Sequence, residues 1–231
     1  MNLPISPRLL ACCGFVAPND RVADIGCDHG YLGIHLLLTG KAQSVIASDV
    51  RPMPLQSAMH NAHKYGVAQK MSFYLSDGVR SIPRDFDTLV CAGMGADTMI
   101  SILEAASWLK SNQYRLILQC QSKTPMLRQY LSQQGWRIVE ESVLRDGRFL
   151  YTVMEVWWEP AYPRLTLGEW YFPPALLENP SKDVPEYYKW VVEGLRIAAA
   201  HQNDPEKKQA LVQLEALAEN PDLSFIKEAS L

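Results

Sequence analysis

A chain of 231 residues has room for one full α/β domain and a modest appendage rather than two full domains. Its composition, 48% hydrophobic and 20% charged, is that of a globular protein and not of a disordered one, and no window approaches the roughly 18 apolar residues of a membrane span. The net charge of −3 lacks the basic surplus usual in nucleic-acid binders. Divided at Glu159, the first part carries 15 Lys+Arg against 14 Asp+Glu and the remainder 7 against 11, so a polyanion would have to find a local basic patch. The opening MNLPISPRLLACCGF has no basic leader ahead of a long apolar run, and the expected location is the cytoplasm. Five cysteines without CxxC spacing read as reduced and buried, and His60 and His63 lack a third ligand, so no metal site is expected.

In chain order, β-branched runs alternate with amphipathic stretches, which predicts a parallel sheet flanked by helices. Strands are expected at 21–25, 44–48, 71–75, 87–92 and 114–119, with helices at about 30–39, 52–65, 96–110 and 124–134. Arg137–Val143 and Phe149–Trp158 read as two further strands, joined across Leu144–Arg148 by an Asp-Gly hairpin signal. Such an antiparallel pair closing a parallel sheet is the ending of a class I methyltransferase rather than of a plain dinucleotide fold. The fold class expected is therefore α/β, Rossmann-like, with a mostly parallel seven-stranded sheet. Beyond Glu159, prolines 160, 163, 173, 174, 180 and 185 predict a structureless linker until Glu186. Two helices then follow at 186–202 and 206–219, separated by Asn203-Asp204-Pro205 and arranged as an antiparallel hairpin. Residues 1–159 form one expected domain, and 160–231 a small helical one.

The chemistry concentrates in Asp24-Ile25-Gly26-Cys27-Asp28-His29-Gly30-Tyr31-Leu32, a strand running through a glycine turn into a helix. Gly26 and Gly30 permit positive φ and close approach of a ligand to the backbone. The spacing is G-x-x-x-G preceded by an acid, unlike the G-x-G-x-x-G that suits a pyrophosphate. Asp24 and Asp28 at this turn suit a ligand bearing an ammonium and a sulfonium, hence S-adenosylmethionine rather than a dinucleotide. Asp49 ends the second strand, placed to accept ribose hydroxyls; Asp77, followed by Gly78, ends the third, placed to accept the adenine amine. Taken singly, each acid also reads as a helix N-cap and the glycines as a structural turn. Gly93 and Met94 after the fourth strand, and Gln119 at the end of the fifth, should floor an acceptor pocket; capping of the strand is the plainer reading of Gly93, and packing that of Met94.

These strings resemble the bacterial tRNA adenine-22 N1-methyltransferase family known as TrmK. The likeness runs through Ser6-Pro7-Arg8-Leu9, the Asp24–Leu32 turn, Ala47-Ser48-Asp49, Ser76-Asp77-Gly78-Val79, Ala92-Gly93-Met94-Gly95 and Leu116-Ile117-Leu118-Gln119, over roughly residues 3–157. It departs at Gly30 and Ala96, where the family shows Ala and Gly, and at Gln119-Cys120-Gln121 in place of Gln-Pro-Asn. The resemblance implies a class I methyltransferase domain, a small coiled-coil-like helical domain, and methyl transfer to N1 of an adenosine in the tRNA D-arm region; separately, a monomer is expected. On that reading Asp28 and His29 sit between cofactor and adenine, Tyr31 stacks on the base, and Arg8 clamps a phosphate or the cofactor carboxylate. A hydrogen-bonded helix-start histidine, a core-facing tyrosine and a surface arginine are the plainer alternatives. Arg51, Lys64, Arg128, Arg145, Arg148, Lys189, Arg196, Lys207 and Lys208 are further candidates for the tRNA backbone. A methyltransferase for a small molecule or protein, and a non-catalytic RNA-binding protein, share the same motifs.

Overall fold

The computed structural model describes residues 3–201 and 204–226. Seven strands form one sheet: β1 (Asp20–Ile25), β2 (Ala42–Asp49), β3 (Met71–Leu75), β4 (Thr88–Gly95), β5 (Arg115–Ser122), β6 (Trp136–Asp146) and β7 (Phe149–Trp158). Their spatial order is β3-β2-β1-β4-β5-β7-β6, with the first five mutually parallel and β7 antiparallel to both neighbours. All five parallel strands therefore present their carboxyl ends along one edge, where ligands of open α/β sheets bind.

Alternation along the central strands feeds two cores. Ala23 and Ile25, Leu89 and Cys91, and Leu116 and Leu118 face one side, against α4 (Ala96–Glu104) and α5 (Thr124–Gln133). Val22, Val90 and Ile117 face the other, against α1 (Pro7–Phe15), α2 (Tyr31–Leu38) and α3 (Pro52–Lys64). All five cysteines are buried and unpaired.

Helix α1 was absent from the sequence expectations. Ser6 caps it, accepting a hydrogen bond from Leu9 N at 3.4 Å, and Pro7 occupies the first turn, where a missing N–H costs nothing. The helix expected over 96–110 ends at Glu104, and a separate single turn covers Ser107–Leu109. The β6–β7 connection is tighter than expected: Asp146 pairs with Phe149, leaving the two-residue loop Gly147-Arg148.

The proline-rich segment also corrects the expectation of a structureless linker. Thr166 and Glu169 form a reciprocal capping box that starts α6 (Leu167–Tyr171), and α7 (Ala175–Glu178) follows. Helix α8 (Val184–His201) begins before Glu186 because Pro185 falls in its first turn. Asp204 caps α9 (Pro205–Ala218), accepting from Glu206 N and Lys207 N; Asn203 and the end of the helix expected at 186–202 lie outside the described residues. Val143 of β6 shares an apolar cluster with Phe172, Leu176, Tyr188, Val192 and Leu214, so these C-terminal helices pack on the sheet. Tyr188 Oη donates to Leu214 O at 2.6 Å and Arg196 Nη2 to Glu215 at 2.8 Å, tying α8 to α9.

Candidate active site

The site begins at the tip of β1. Gly26 N and Cys27 N both donate to Ser48 O at 2.8 Å, which folds the turn against β2. Gly26 has φ +73°, a backbone conformation that favours glycine, and a Cβ there would lie 2.2 Å from Met94 Cε at the β4 tip, so any larger residue displaces that side chain. Asp24, just before it, is 3% exposed, and its Oδ2 has no hydrogen-bond partner among the described residues. Burial pushes its carboxyl up to about 7, opposed by the Gly33 N–H and reinforced by the nearby Asp49 charge.

Asp49, buried at the tip of β2, is held by backbone. Oδ2 accepts from Asp28 N at 3.2 Å and Oδ1 from Arg51 N at 2.9 Å. The carboxylate is thereby fixed at a strand end with acceptor capacity left over. Asp28 has a left-handed backbone (φ +50°) and an exposed side chain. At the tip of β3, the Ser76 hydroxyl donates to Gly78 O at 2.9 Å and accepts from Ser81 N at 3.0 Å, shaping the turn from which Asp77 projects.

On the other side of the crevice a register shift between Ala92 and Met94 bulges β4 outward at Gly93, whose φ is +78°. The bulge is held by Gln119: its Oε1 accepts from Gly93 N at 3.1 Å and its Nε2 donates to Cys120 O at 3.1 Å. With its amide engaged at both ends and the side chain buried, Gln119 supports the wall, while exposed Gln121 stands at the rim. Arg8, from α1, donates Nε to Asp146 Oδ2 at 2.8 Å and lies 4.9 Å from the centre of the Tyr151 ring.

These tips enclose a cavity of about 840 Å³, large enough for a nucleoside-sized ligand and part of an acceptor. Arg8, Asp24, Gly26, Asp28, Asp49, Asp77, Gly78, Gly93, Met94 and Gln119 all line it. His29, Gly30 and Tyr31 do not. His29 Nε2 sits 3.7 Å from Asp28 Oδ2, and its ring is 5.7 Å from that of Tyr31. Gly30 separates two helices: a Cβ there would lie 3.0 Å from Ala58 Cβ of α3. Sequence reasoning singled out the Ser6–Leu9 string but gave a role only to Arg8, whereas Ser6 at the cap of α1 and Leu9 within it also line the cavity; it missed the face of α4 that brings Asp97, Thr98 and Ser101 there. The polar spacing of 97, 98 and 101 was the available signal. Among the candidate phosphate contacts Arg128 is corrected outright, being wholly buried against Glu141.

The strand order, the glycine turn at β1 and the carboxylates at neighbouring strand tips define the class: a Rossmann-like class I methyltransferase domain. Residues 5–154 match the family described as "Methyltransferase domain". The tRNA (adenine(22)-N(1))-methyltransferase of Bacillus subtilis is 30% identical over 154 residues, 66% of this chain and 65% of the relative. Sequence alignments span between 61% and 65% of the length of the first curated relatives. Sp1610 of Streptococcus pneumoniae, a proposed tRNA (m1A22) methyltransferase, matches with TM-score 0.78 at 30% identity, over 97% of this chain and 98% of that one. The same protein solved with S-adenosyl-L-methionine matches with TM-score 0.79 at 30% identity, over 91% and 99%. The chain belongs to the tRNA (adenine-22) N1-methyltransferase family, TrmK.

Proposed function

We propose that this protein transfers the methyl group of S-adenosylmethionine to N1 of adenosine 22 in tRNA. The observation that carries the reading is Asp24: a buried carboxylate with an unpartnered oxygen, facing a crevice ringed by further carboxylates. An orphaned buried acid is costly unless a cation completes it, and the ammonium and sulfonium of this cofactor are such cations. The donor set fits the rest of the molecule. Asp24 and the Gly26 turn hold its amino-acid end, Asp49 accepts from the ribose hydroxyls, Asp77 and Gly78 meet the adenine, and Gly93 and Met94 form the facing wall. Bound there, the cofactor supplies an electrophilic methyl group on positively charged sulfur.

The protein's part is positioning. Adenine N1 carries an in-plane lone pair, so its attack needs no prior loss of a proton, and no strong general base is required. Alignment and exclusion of water supply the acceleration; well-oriented reactions of this type gain ~7–11 kcal/mol. Positive charge develops on the adenine as the bond forms, and Asp28, at the mouth of the β1 turn, is the carboxylate placed to stabilise it. His29 and Tyr31 lie beside Asp28 and outside the cavity, where the incoming base would pass, and Arg8 meets a phosphate or the cofactor carboxylate. N1 is hidden in a paired base, so the target must be exposed or flipped, at a cost on the order of a few kcal/mol. Residues 160–231 act as a helical domain that helps seat the tRNA. The reaction belongs in the cytoplasm, carried out by a monomer without a metal. The B. subtilis relative's name and the cofactor-bound S. pneumoniae structure support this assignment.

The test is nucleoside analysis of bulk tRNA after incubation with the protein and isotope-labelled cofactor. N1-methyladenosine is expected at position 22. Label in any other base would overturn the acceptor, and label in no RNA at all would leave a small-molecule or protein methyltransferase.

A further inference from the structure

A second cavity, of about 520 Å³, lies between the end of β5, the start of α5, β7 and helix α8. Its character is unlike that of the first. Where the first is ringed by carboxylates, this one is lined by aromatic rings, including Phe149, Tyr151, Tyr187 and Trp190. Two of the rings are presented to solvent: Trp190 is 65% exposed and Phe149 53% exposed. Gly194 lies one helical turn beyond Trp190 and also lines the groove; a Cβ there would meet nothing within 4 Å. The groove is thus open beside Gly194, while the Trp190 ring lies 5.8 Å from that of Tyr187, centre to centre.

The two cavities are neighbours. Gln121 lines both. Arg8, in the first, lies 4.9 Å from the ring centre of Tyr151, in the second. Lys123 of the groove pairs with Asp97 of the first cavity at 2.8 Å. Cations therefore sit along the junction, and the Arg148 guanidinium lies 4.9 Å from the Phe149 ring centre. Exposed aromatic surface flanked by cations and adjacent to a site for one nucleotide is the composition of a single-strand binding track.

We propose that this groove holds a nucleobase directly adjacent to the target adenosine, stacked on Trp190 and Phe149, while the junction cations meet the linking phosphate. This deepens the acceptor assignment above and rests on it. A flipped target leaves its neighbour without a stacking partner on that side, and the aromatic groove replaces what is lost. The rings would thus act on tRNA affinity and leave the cofactor pocket untouched.

The test pairs two variants, Trp190→Ala and Phe149→Ala, with three tRNAs: intact, abasic on the 5′ side of the target, and abasic on the 3′ side. Both rings are largely exposed, so thermal midpoints should match the wild type, and cofactor affinity by calorimetry should be unchanged. Each variant is expected to raise KM for intact tRNA about tenfold, with little change in kcat. One abasic tRNA should cost the wild type a similar factor, and the variants should lose nothing more on it. An unaltered KM in both variants with N1-methyladenosine still formed would overturn the groove alone, as would additive losses or a variant effect confined to oligomeric state. Failure of the wild type to methylate intact tRNA would remove the acceptor assignment and the groove together.

Discussion

Two buried ionisable groups in this molecule stand in opposite conditions. Arg128, at 0% side-chain exposure, uses all five of its N–H donors: Nε and Nη2 go to Glu141 at 3.1 and 2.6 Å, Nη1 to Trp170 O and Tyr171 O, and Nη2 also to Tyr187 Oη. Burial disfavours its charge, yet Glu141 and Tyr187 hold the guanidinium firmly protonated. The cluster joins α5 and β6 to α6 and α8 and asks nothing further of its surroundings. Asp24 is equally hidden but leaves an oxygen without a partner, and its carboxyl is pushed up to about 7 by burial, then by Asp49. A closed charge cluster holds a fold together; an open one at a strand tip is waiting for a ligand.

The contrast breaks first at the closed end. Glu141→Ala would strand the Arg128 charge in the interior, and losing one partner of a buried pair costs about 3–5 kcal/mol. Chemical denaturation should show that loss, with the β1 turn and its cofactor affinity preserved at temperatures where the variant is folded. A drop in stability below 1 kcal/mol would show that water reaches Arg128 and that the cluster is not closed.

Asp24 should respond in the other direction. Its carboxyl is raised in the folded state to about 7, from an ordinary value of 3.8, so between those limits the folded protein holds a proton that the unfolded chain has released. Stability from this group is full below pH 4 and is lost as pH rises toward 7, at about 1.4 kcal/mol per unit. Asp24→Asn removes the dependence, so relative to wild type the ligand-free variant should gain about 2 kcal/mol between pH 5 and pH 7. A cationic ligand favours the ionised form. Cofactor affinity of the wild type should therefore weaken as pH falls below 7, and that of the variant should be weak throughout. Parallel stability curves for the two proteins would mean that Asp24 is ionised and satisfied without a ligand.

This difference between the two clusters also governs how much could be read in advance. Asp24, Asp49 and Asp77 were legible because each follows a short strand-like run with apolar residues, and parallel topology brings such strand ends to one edge whatever happens elsewhere. The glycine turn was legible for the same local reason. Arg128 was misplaced because nothing local distinguishes it from a surface arginine: its carboxylate lies on another element and its carbonyl partners more than forty residues away. His29 and Tyr31 belong to the motif by spacing, but the turn after Asp28 carries their side chains out of the cavity. The density of prolines concealed α6, although Thr166-x-x-Glu169 spelled its capping box. Helix α1 escaped because Pro7, two cysteines and Gly14 make a weak helical sequence whose stability comes from packing on the sheet.

The smallest effect sharpens the open end of the contrast, because it separates shape from charge. Gly26→Ala adds one methyl group at φ +73°, with its Cβ 2.2 Å from Met94 Cε. The left-handed backbone alone costs about 1–2 kcal/mol for a residue with a Cβ, and the flexible Met94 side chain can move aside at little further cost to folding. Moving Met94, however, shifts the wall facing the turn, so cofactor affinity should fall about tenfold while the pH dependence set by Asp24 persists. Adding Met94→Ala relieves the collision without altering φ. The double variant should thus recover part of the affinity and none of the stability, measured by calorimetry and denaturation on the same samples. Full recovery of both would assign the glycine to steric clearance alone, and recovery of neither would assign it to the backbone turn that presents the cofactor's amino-acid end to Asp24.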